Sequence, residues 1–412
     1  MNRFFRCRAV LSRRVDRAVG PVVHSRVRLL VRSLVRSALP LLISVLAGPA
    51  LAQMKVGVLT SATGATAVVG IPQKNTAALL PRKIGNIEVE YTVLDDASDS
   101  SQTVALIKKL LVEQQVDAII GPSGSPNSMA ALQFIAEAKT PLLAPVGATS
   151  VILPMDEQKR WVFKTTQNDA LICEALVAHM VKAGVKTAGF IGFADAYGEG
   201  WYRVFSAMAE KAGIKITANE RFQRTDQSVI GQVVKIIAAN PDAVLVGAAG
   251  GPTVLPQATL AERGYKGQVY QTHGAATPDF IRLGAKNVEG TVMAASLMLV
   301  LDQVPDSNPS KKVAADYIAA YEKLYGAKPA TFGANVFDAG LLLHRAVPEA
   351  ARKAKPGTPE FRAALRDALE ATKELVGTQG VYTMTPQDHS GFDRRGRELM
   401  TLKNGAWQLL AE

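Results

Sequence analysis

Short buried strands alternate with amphipathic helices along the first half of this chain, and this alternation limits the folds available to it. Apolar runs typical of strands cover residues 55–59, 88–95, 117–120 and 141–145, with helical patterns between the later ones. The helix before 117–120 carries Val104, Ile107, Leu110 and Leu111 on one face. Strands separated by helices predict a parallel, doubly wound sheet.

The same alternation then starts again. Strand patterns cover residues 187–193, 215–219, 243–247 and 268–271, again separated by helical stretches. This predicts a second α/β lobe with its own sheet. A chain of about 360 residues also exceeds what one hydrophobic core usually serves, so two lobes agree with its length.

The last hundred residues follow another pattern. Three amphipathic helices are predicted at 310–326, 335–354 and 358–374, with no strand between the first two. A hairpin is predicted from 398 to 410, with Asn404-Gly405 at its turn. The helices need an existing sheet to cover, so this tail must return to the two lobes.

Residues 1–52 have the layout of a secretory signal peptide. Ten arginines and one aspartate precede the apolar run 38–47, and Ala50 and Ala52 occupy the positions read by a signal peptidase. Cleavage is expected after Ala52, which would release the protein into the periplasm. A membrane anchor would need roughly 20 apolar residues, whereas this run is shorter and contains Pro40. The sequence also allows translation to start at a codon further downstream.

The charge and the cysteine content limit the partners and the disulfide bonds expected for this chain. The net charge is +11, but residues 1–52 contribute +9 (ten arginines less one aspartate), which leaves +2 for the remainder. We therefore expect no nucleic-acid partner. Cys7 leaves with the leader, so Cys173 stands alone and no intramolecular disulfide is expected.

Enzyme and metal signatures are not found in the sequence. The first strand leads into Thr60-Ser-Ala-Thr-Gly-Ala65 and not into the G-x-G-x-x-G of dinucleotide-binding enzymes. No G-x-S-x-G occurs, and the histidines lack the paired spacing of zinc sites. We expect no catalytic residues, no cofactor and no metal. An α/β oxidoreductase is kept as a remote alternative.

Several short motifs, in order, resemble the branched-chain amino acid type of periplasmic binding proteins. They include the loop 61–64 with Gly70, Leu94-Asp-Asp96, Gly121-Pro122 and later the run 195–198 and Phe337-Asp-Ala339. The resemblance covers nearly all of 53–412. It implies a type I fold of two Rossmann-like lobes joined by three crossovers. The implied lobes are 53–167 plus 297–378 and 168–296 plus 379–412.

The resemblance also implies where the ligand lies. Open α/β sheets bind ligands at their strand ends, and the hydroxyls and amides that match the family's carboxylate-binding groups belong to Ser125, Gly147, Ala148 and Thr149. Gly124 and Ser125 also suit the start of a helix, whose free amides favour an anion. Tyr197 corresponds to an aromatic that the second lobe brings over the ligand on closure.

Two departures from the family pattern concern the ligand. His273 stands where amino-acid-binding members usually carry an acid for the ligand's ammonium group, and Val69 stands where they often have an aromatic ring. A neutral imidazole cannot replace a fixed negative charge. The departures favour an aromatic or aliphatic acid over a branched-chain amino acid, although Asp279 or Glu289 could serve the ammonium instead.

The resemblance finally implies a function. The expected protein is a monomeric solute-binding component of an ABC importer, which captures a small carboxylate-bearing solute and delivers it to a membrane permease. A clamp of the same fold used in signalling or regulation is the main alternative.

Overall fold

The computed structural model describes residues 53–410, so the predicted signal peptide lies outside the described residues. Within them the chain forms two large sheets and a separate two-stranded sheet. The strands are β1 (Gln53–Thr60), β2 (Lys83–Ile84), β3 (Ile87–Asp95), β4 (Ala118–Ile120), β5 (Leu142–Ala144), β6 (Val162–Lys164), β7 (Thr187–Phe193), β8 (Lys215–Phe222), β9 (Ala243–Gly247), β10 (Gln268–Gln271), β11 (Val292–Ala295), β12 (Leu375–Val376), β13 (Val381–Tyr382), β14 (Glu398–Lys403) and β15 (Ala406–Leu409). In the two-stranded sheet, β12 pairs with β13.

Helices connect and cover these strands. They are α1 (Ala67–Thr76), α2 (Ser100–Lys108), α3 (Ser125–Ala138), α4 (Asp169–Lys182), α5 (Ala196–Lys211), α6 (Ile230–Ala239), α7 (Val254–Glu262), α8 (Pro278–Gly284), α9 (Ser310–Tyr325), α10 (Thr331–Ala351) and α11 (Pro359–Glu370). No helix within residues 53–410 combines the length and apolar character needed to span a bilayer.

The first sheet has the strand order β2-β3-β1-β4-β5-β6. Its strands are parallel except for β2, which pairs antiparallel with β3. Val58 of β1 lies between Val93 of β3 and Ile120 of β4. The strand ends of β1, β4 and β5 therefore meet at one edge, from which the loops before α1 and α3 emerge.

The second sheet has the order β15-β14-β11-β10-β9-β7-β8. Strands β7 to β11 are parallel, and the terminal hairpin β14-β15 adds antiparallel to β11. The two sheets confirm the predicted α/β class with two lobes, and the hairpin forms where Asn404-Gly405 predicted a turn. The inner strands β4, β5 and β9 are apolar and fully buried, as expected for parallel strands covered by helices on both faces.

The apolar cores show where the chain passes between the lobes. Residues of β1 to β6 share one core with Val336 and Leu343 of α10 and with Phe361 of α11. Residues of β7 to β11 share another with α4 and with Leu399 of β14. The chain thus leaves the first lobe after β6, returns before α10 and crosses again before β14.

The packing supports lobe boundaries later in the chain than those expected from the sequence, at both the second and the third crossing. The sequence places Leu297, Val300 and Val304 in the first lobe. In the structure they pack with Met400 and Trp407 of the terminal hairpin, which belongs to the second sheet. These apolar residues close the end of the second sheet.

At the third crossing the packing likewise favours a later boundary. Tyr382 and Met384 were assigned to the second lobe, but they are buried in the core of the first. The hydroxyl of Tyr382 donates to Oδ2 of the buried Asp338 over 2.9 Å, which ties β13 to α10. We therefore propose lobe boundaries near residue 310 and between residues 384 and 398.

Candidate ligand-binding site

A cavity of about 430 Å³ of atom-free space, including its solvent-facing mouth, lies where the two lobes meet. The wall includes the first-lobe residues Thr66, Val69, Ser123, Gly124, Ser125, Pro145, Val146, Gly147, Phe332 and Asn335 and the second-lobe residues Tyr197, Arg224, Ala249, His273 and Gly274, with Thr166 from the first crossing.

The first-lobe wall is built around the start of α3. Gly124 precedes the helix with extended backbone, and Ser125 begins it. The first amides of a helix have no partner within the helix, so they are free to meet an anion. The Ser125 hydroxyl oxygen accepts the N–H of Ala148 (3.3 Å), which leaves the hydroxyl proton available to a ligand.

A buried aspartate holds this wall in place. Asp96 accepts a hydrogen bond from the Ser61 hydroxyl at 2.6 Å and another from the Asn127 side-chain amide at 3.1 Å. Burial raises the pKa of Asp96, and hydrogen bonds from Ser61, Thr103 and Asn127 oppose that shift. The loop after β1 and the first turn of α3 are therefore fixed against each other.

Ala148 and Thr149, predicted to hold the carboxylate, lie behind the wall. The N–H of Ala148 is bound to Ser125. The N–H of Thr149 donates to Oδ2 of Asp169 (3.1 Å), and the N–H of Asp169 donates to Thr149 Oγ1 (3.2 Å). Their polar groups are thus engaged within the protein, and direct ligand contact by these two residues stays a prediction.

Tyr197 covers the cavity from the second lobe, where the sequence analysis expected it. It is 4% exposed, and Asp195 caps α5 by accepting the N–H groups of Tyr197 and Gly198. The Tyr197 hydroxyl lies 2.9 Å from Thr272 Oγ1. Because the Thr272 hydroxyl donates to the Ala248 carbonyl, the Tyr197 hydroxyl is the donor in this pair. The ring is therefore held at both ends.

His273 lies on the same wall. It is 6% exposed, and its ring centroid is 5.7 Å from that of Trp201 and 6.4 Å from that of Tyr197. Its Nδ1 atom is buried without a hydrogen-bond partner in the described residues. Burial, assisted by the positive charge of Lys164, lowers the pKa of His273 to about 3. The imidazole is therefore neutral at neutral pH and carries no charge for a ligand.

This buried histidine makes folding stability depend on pH. Between pH 6.5 and pH 3 the unfolded chain binds a proton at His273 that the folded protein excludes, so stability falls as the pH decreases. At pH 5 we expect this effect to lower the free energy of unfolding by about 2 kcal/mol relative to pH 7.5. Urea unfolding at pH 7.5 and pH 5 should show a smaller decrease for His273→Gln than for wild type. His344→Gln, at an exposed position, should behave like wild type. Equal decreases in all three proteins would contradict the prediction.

Two buried groups of opposite charge, Lys164 and Asp169, lie behind the cavity. Lys164 of β6 is 0% exposed, and its Nζ donates to the carbonyls of Gly147 (2.6 Å) and Gln167 (3.2 Å) and to Asn168 Oδ1 (2.9 Å). Burial lowers the pKa of Lys164 to about 8 and raises that of Asp169 to about 6, and each charge opposes the shift of the other. The pair links the Gly147 loop of the first lobe to the first crossing.

The two walls approach each other closely at two glycines, Gly147 and Gly250. A Cβ atom at Gly147 would lie 2.7 Å from Tyr197 Cε2 and 3.0 Å from His273 Nε2. A Cβ atom at Gly250 would lie 3.4 Å from a methyl carbon of Val69, which lines the cavity. The lobes are therefore closed against each other in this structure.

The two acids considered as ammonium partners lie elsewhere. Asp279 pairs with Arg282 one turn along α8. Glu289 accepts the N–H groups of Asn404 and Gly405 at the terminal hairpin. Neither lines the cavity, so the structure removes both alternatives. Within the described residues, no three His, Cys, Asp or Glu side chains come together as a metal site.

Two charged residues in and behind this site are not predicted from the sequence. Arg224 lines the cavity from the turn after β8. Lys164 could have been noticed, because a lysine between Phe163 and Thr165 in a buried strand requires a partner.

Two α/β lobes closed over a cavity with polar groups on both walls define a ligand-binding clamp. The chain belongs to the periplasmic binding protein family, whose model matches residues 53–397. This confirms, for family and fold, the resemblance seen in the sequence. A comparison with curated proteins found no match.

Solved structures give the same result. Two extracellular ligand-binding receptors from Rhodopseudomonas palustris HaA2 are 45% and 39% identical, each with a TM-score of 0.84; both alignments cover 87% of this chain and 99% and 100% of theirs. The leucine binding protein LivK from Thermotoga maritima shares the fold at 22% identity with a TM-score of 0.73, covering 87% of this chain and 98% of its own.

Proposed function

We propose that this chain is the periplasmic solute-binding component of an ABC importer and that its solute is a small carboxylate without an amine. One observation carries the choice of solute: among the described residues, no Asp or Glu side chain lines the cavity. An α-amino acid would bring an ammonium group into this enclosed site, and an unpaired buried charge costs several kcal/mol.

The neighbouring groups support the same solute. Ser125 and the first amides of α3 offer donors to a carboxylate. His273 is neutral at the position where amino-acid-binding relatives usually carry an acid. Asp169 lies behind Thr149 and faces Lys164, so its charge is already opposed. A carboxylate alone satisfies these donors and leaves no cation unpaired.

The rest of the proposal follows from the sequence and the family. The leader 1–52, cleaved after Ala52, would deliver the protein to the periplasm. The closed lobes would then be recognised by a permease in the inner membrane, with the protein acting as a monomer. The relatives from Rhodopseudomonas palustris are described as extracellular ligand-binding receptors, which supports capture of a solute outside the cytoplasm.

Matched ligand pairs test the solute class. Leucine and 4-methylpentanoate differ only in the amine, as do phenylalanine and 3-phenylpropanoate. A ligand that binds only the folded state stabilises it by about 2.7 kcal/mol at 100 times its Kd. In a thermal-shift assay of residues 53–412, we expect the amine-free members to raise the melting temperature and the amino acids to leave it unchanged. A larger shift with either amino acid would contradict the proposal.

Uptake measurements test the importer role. Cells that lack this chain should lose uptake of the labelled acid that gives the largest thermal shift, and the wild-type gene should restore it. If the purified protein binds the acid but cells that lack it take up the acid as fast as wild-type cells, the result would instead favour the sensing clamp.

A further inference from the structure

Arg224 stands on the second-lobe wall in a fixed position. Its Nε donates to Asp195 Oδ2 over 2.6 Å, and its guanidinium carbon lies 4.2 Å from the centre of the Phe193 ring. Asp195 is itself held by the first amides of α5. The side chain is 16% exposed, so most of it is buried against this wall.

The outer end of Arg224 has unused donors. A guanidinium carries five N–H donors, but none of the hydrogen bonds in the described residues uses its two Nη groups, which carry four of the five. Among the described residues that line the cavity, Arg224 is the only one with a charged side chain, since burial keeps His273 neutral. The second-lobe wall therefore attracts an oxygen acceptor.

His273 adds a second unused group to this wall. Its buried Nδ1 atom has no partner in the described residues, whereas Nε2 is the ring nitrogen nearest Gly147 across the cleft. A neutral imidazole donates from one nitrogen and accepts at the other. A buried polar atom without a partner is costly, so a ligand group that bonds to Nε2 and fixes which nitrogen carries the proton, or one that reaches Nδ1, would be favoured.

We propose that Arg224 and His273 form a second anchor, so that the solute is an amine-free acid with another oxygen, a carboxylate or a hydroxyl, at its far end. This inference rests on the proposed function. The first carboxylate would meet Ser125 and the start of α3 on the first lobe, and the second oxygen would meet Arg224 on the second lobe. A ligand held at both ends bridges the lobes, so its length decides whether they close.

Isothermal titration calorimetry with ligand families tests the anchor. Benzoate carries one polar end, whereas 4-hydroxybenzoate and terephthalate carry two; hexanoate and adipate form the aliphatic pair. We expect wild type to bind a two-ended acid at least about 10-fold more tightly than its one-ended partner, because a hydrogen bond to a charged group contributes about 10- to 100-fold.

Variants assign this preference to the arginine. Arg224→Gln should weaken the two-ended acid by about 10- to 100-fold and the one-ended acid by less than about 3-fold. Arg224→Lys should lie between Arg224→Gln and wild type, because it keeps the charge but not the planar donor geometry. Arg263→Gln, at an exposed second-lobe position, is the matched control and should leave both affinities unchanged.

Each variant is measured with both ligands of a pair, so its affinity for the one-ended acid shows whether the variant is still folded. Equal loss of both affinities, no loss of either, or a wild-type preference for the one-ended acid would overturn the second anchor and leave the proposed function standing. If leucine binds and the amine-free acids do not, the proposed function fails and the anchor fails with it.

Discussion

Replacing Gly147 with alanine is expected to weaken ligand binding by about 100-fold or more. The new Cβ atom would lie 2.7 Å from Tyr197 Cε2 and 3.0 Å from His273 Nε2, both on the opposite wall. Tyr197 cannot move aside easily, because its hydroxyl is bound to Thr272. The lobes would have to part, and a closed state that costs about 3 kcal/mol more lowers the apparent affinity by about two orders of magnitude.

Calorimetric titration checks this prediction, with the acid of highest affinity from the thermal-shift panel as ligand. Gly231→Ala is the matched control, because a Cβ atom there would meet no atom within 4 Å. The control should bind like wild type, and both ligand-free variants should unfold near the wild-type temperature. Wild-type affinity in Gly147→Ala would show that the walls do not meet in the ligand-bound state.

Replacing Lys164 with methionine should lower the free energy of unfolding by about 3 to 5 kcal/mol. The change removes the buried cation that faces Asp169 and leaves the Gly147 and Gln167 carbonyls without their donor. The buried carboxylate would then have no counter-charge. Denaturant unfolding measures the loss directly, and ligand affinity should also fall because the Gly147 loop is no longer held.

A double variant separates the charge from the packing. Lys164→Met with Asp169→Asn removes both charges, so it should recover part of the stability lost in the single variant. Lys312→Met removes a lysine whose side chain is 83% exposed and should change stability by less than about 0.5 kcal/mol. A double variant no more stable than the single one would contradict the charge argument.

The sequence predicted the two lobes well, because buried strands and amphipathic helices leave different periods. The strands at 187–193, 243–247 and 268–271 begin and end where the apolar runs do. The second crossing was predicted less well. The apolar residues at 297–304 could cover either sheet, and only the packing with Trp407 shows which one they cover.

The residues of the site also differ in how well the sequence predicts them. Ser125, Tyr197 and His273 could be placed from the order of motifs, since each follows a strand in its lobe. Arg224 could not be placed, because nothing in the local sequence of a turn indicates that it faces a cavity formed with another lobe. Thr149 remains a predicted ligand contact, but its bonds to Asp169, which accepts its N–H and donates an N–H to its hydroxyl oxygen, could not be predicted from the sequence.

Both cores combine residues from distant parts of the chain. The first joins β1, which begins at Gln53, with Met384, and the second joins β7 with Leu399. A polypeptide that emerges from its N-terminus therefore cannot complete either core until almost its last residues are free. Each lobe can therefore complete its core only near the end of synthesis, so we expect neither lobe to fold fully before the other.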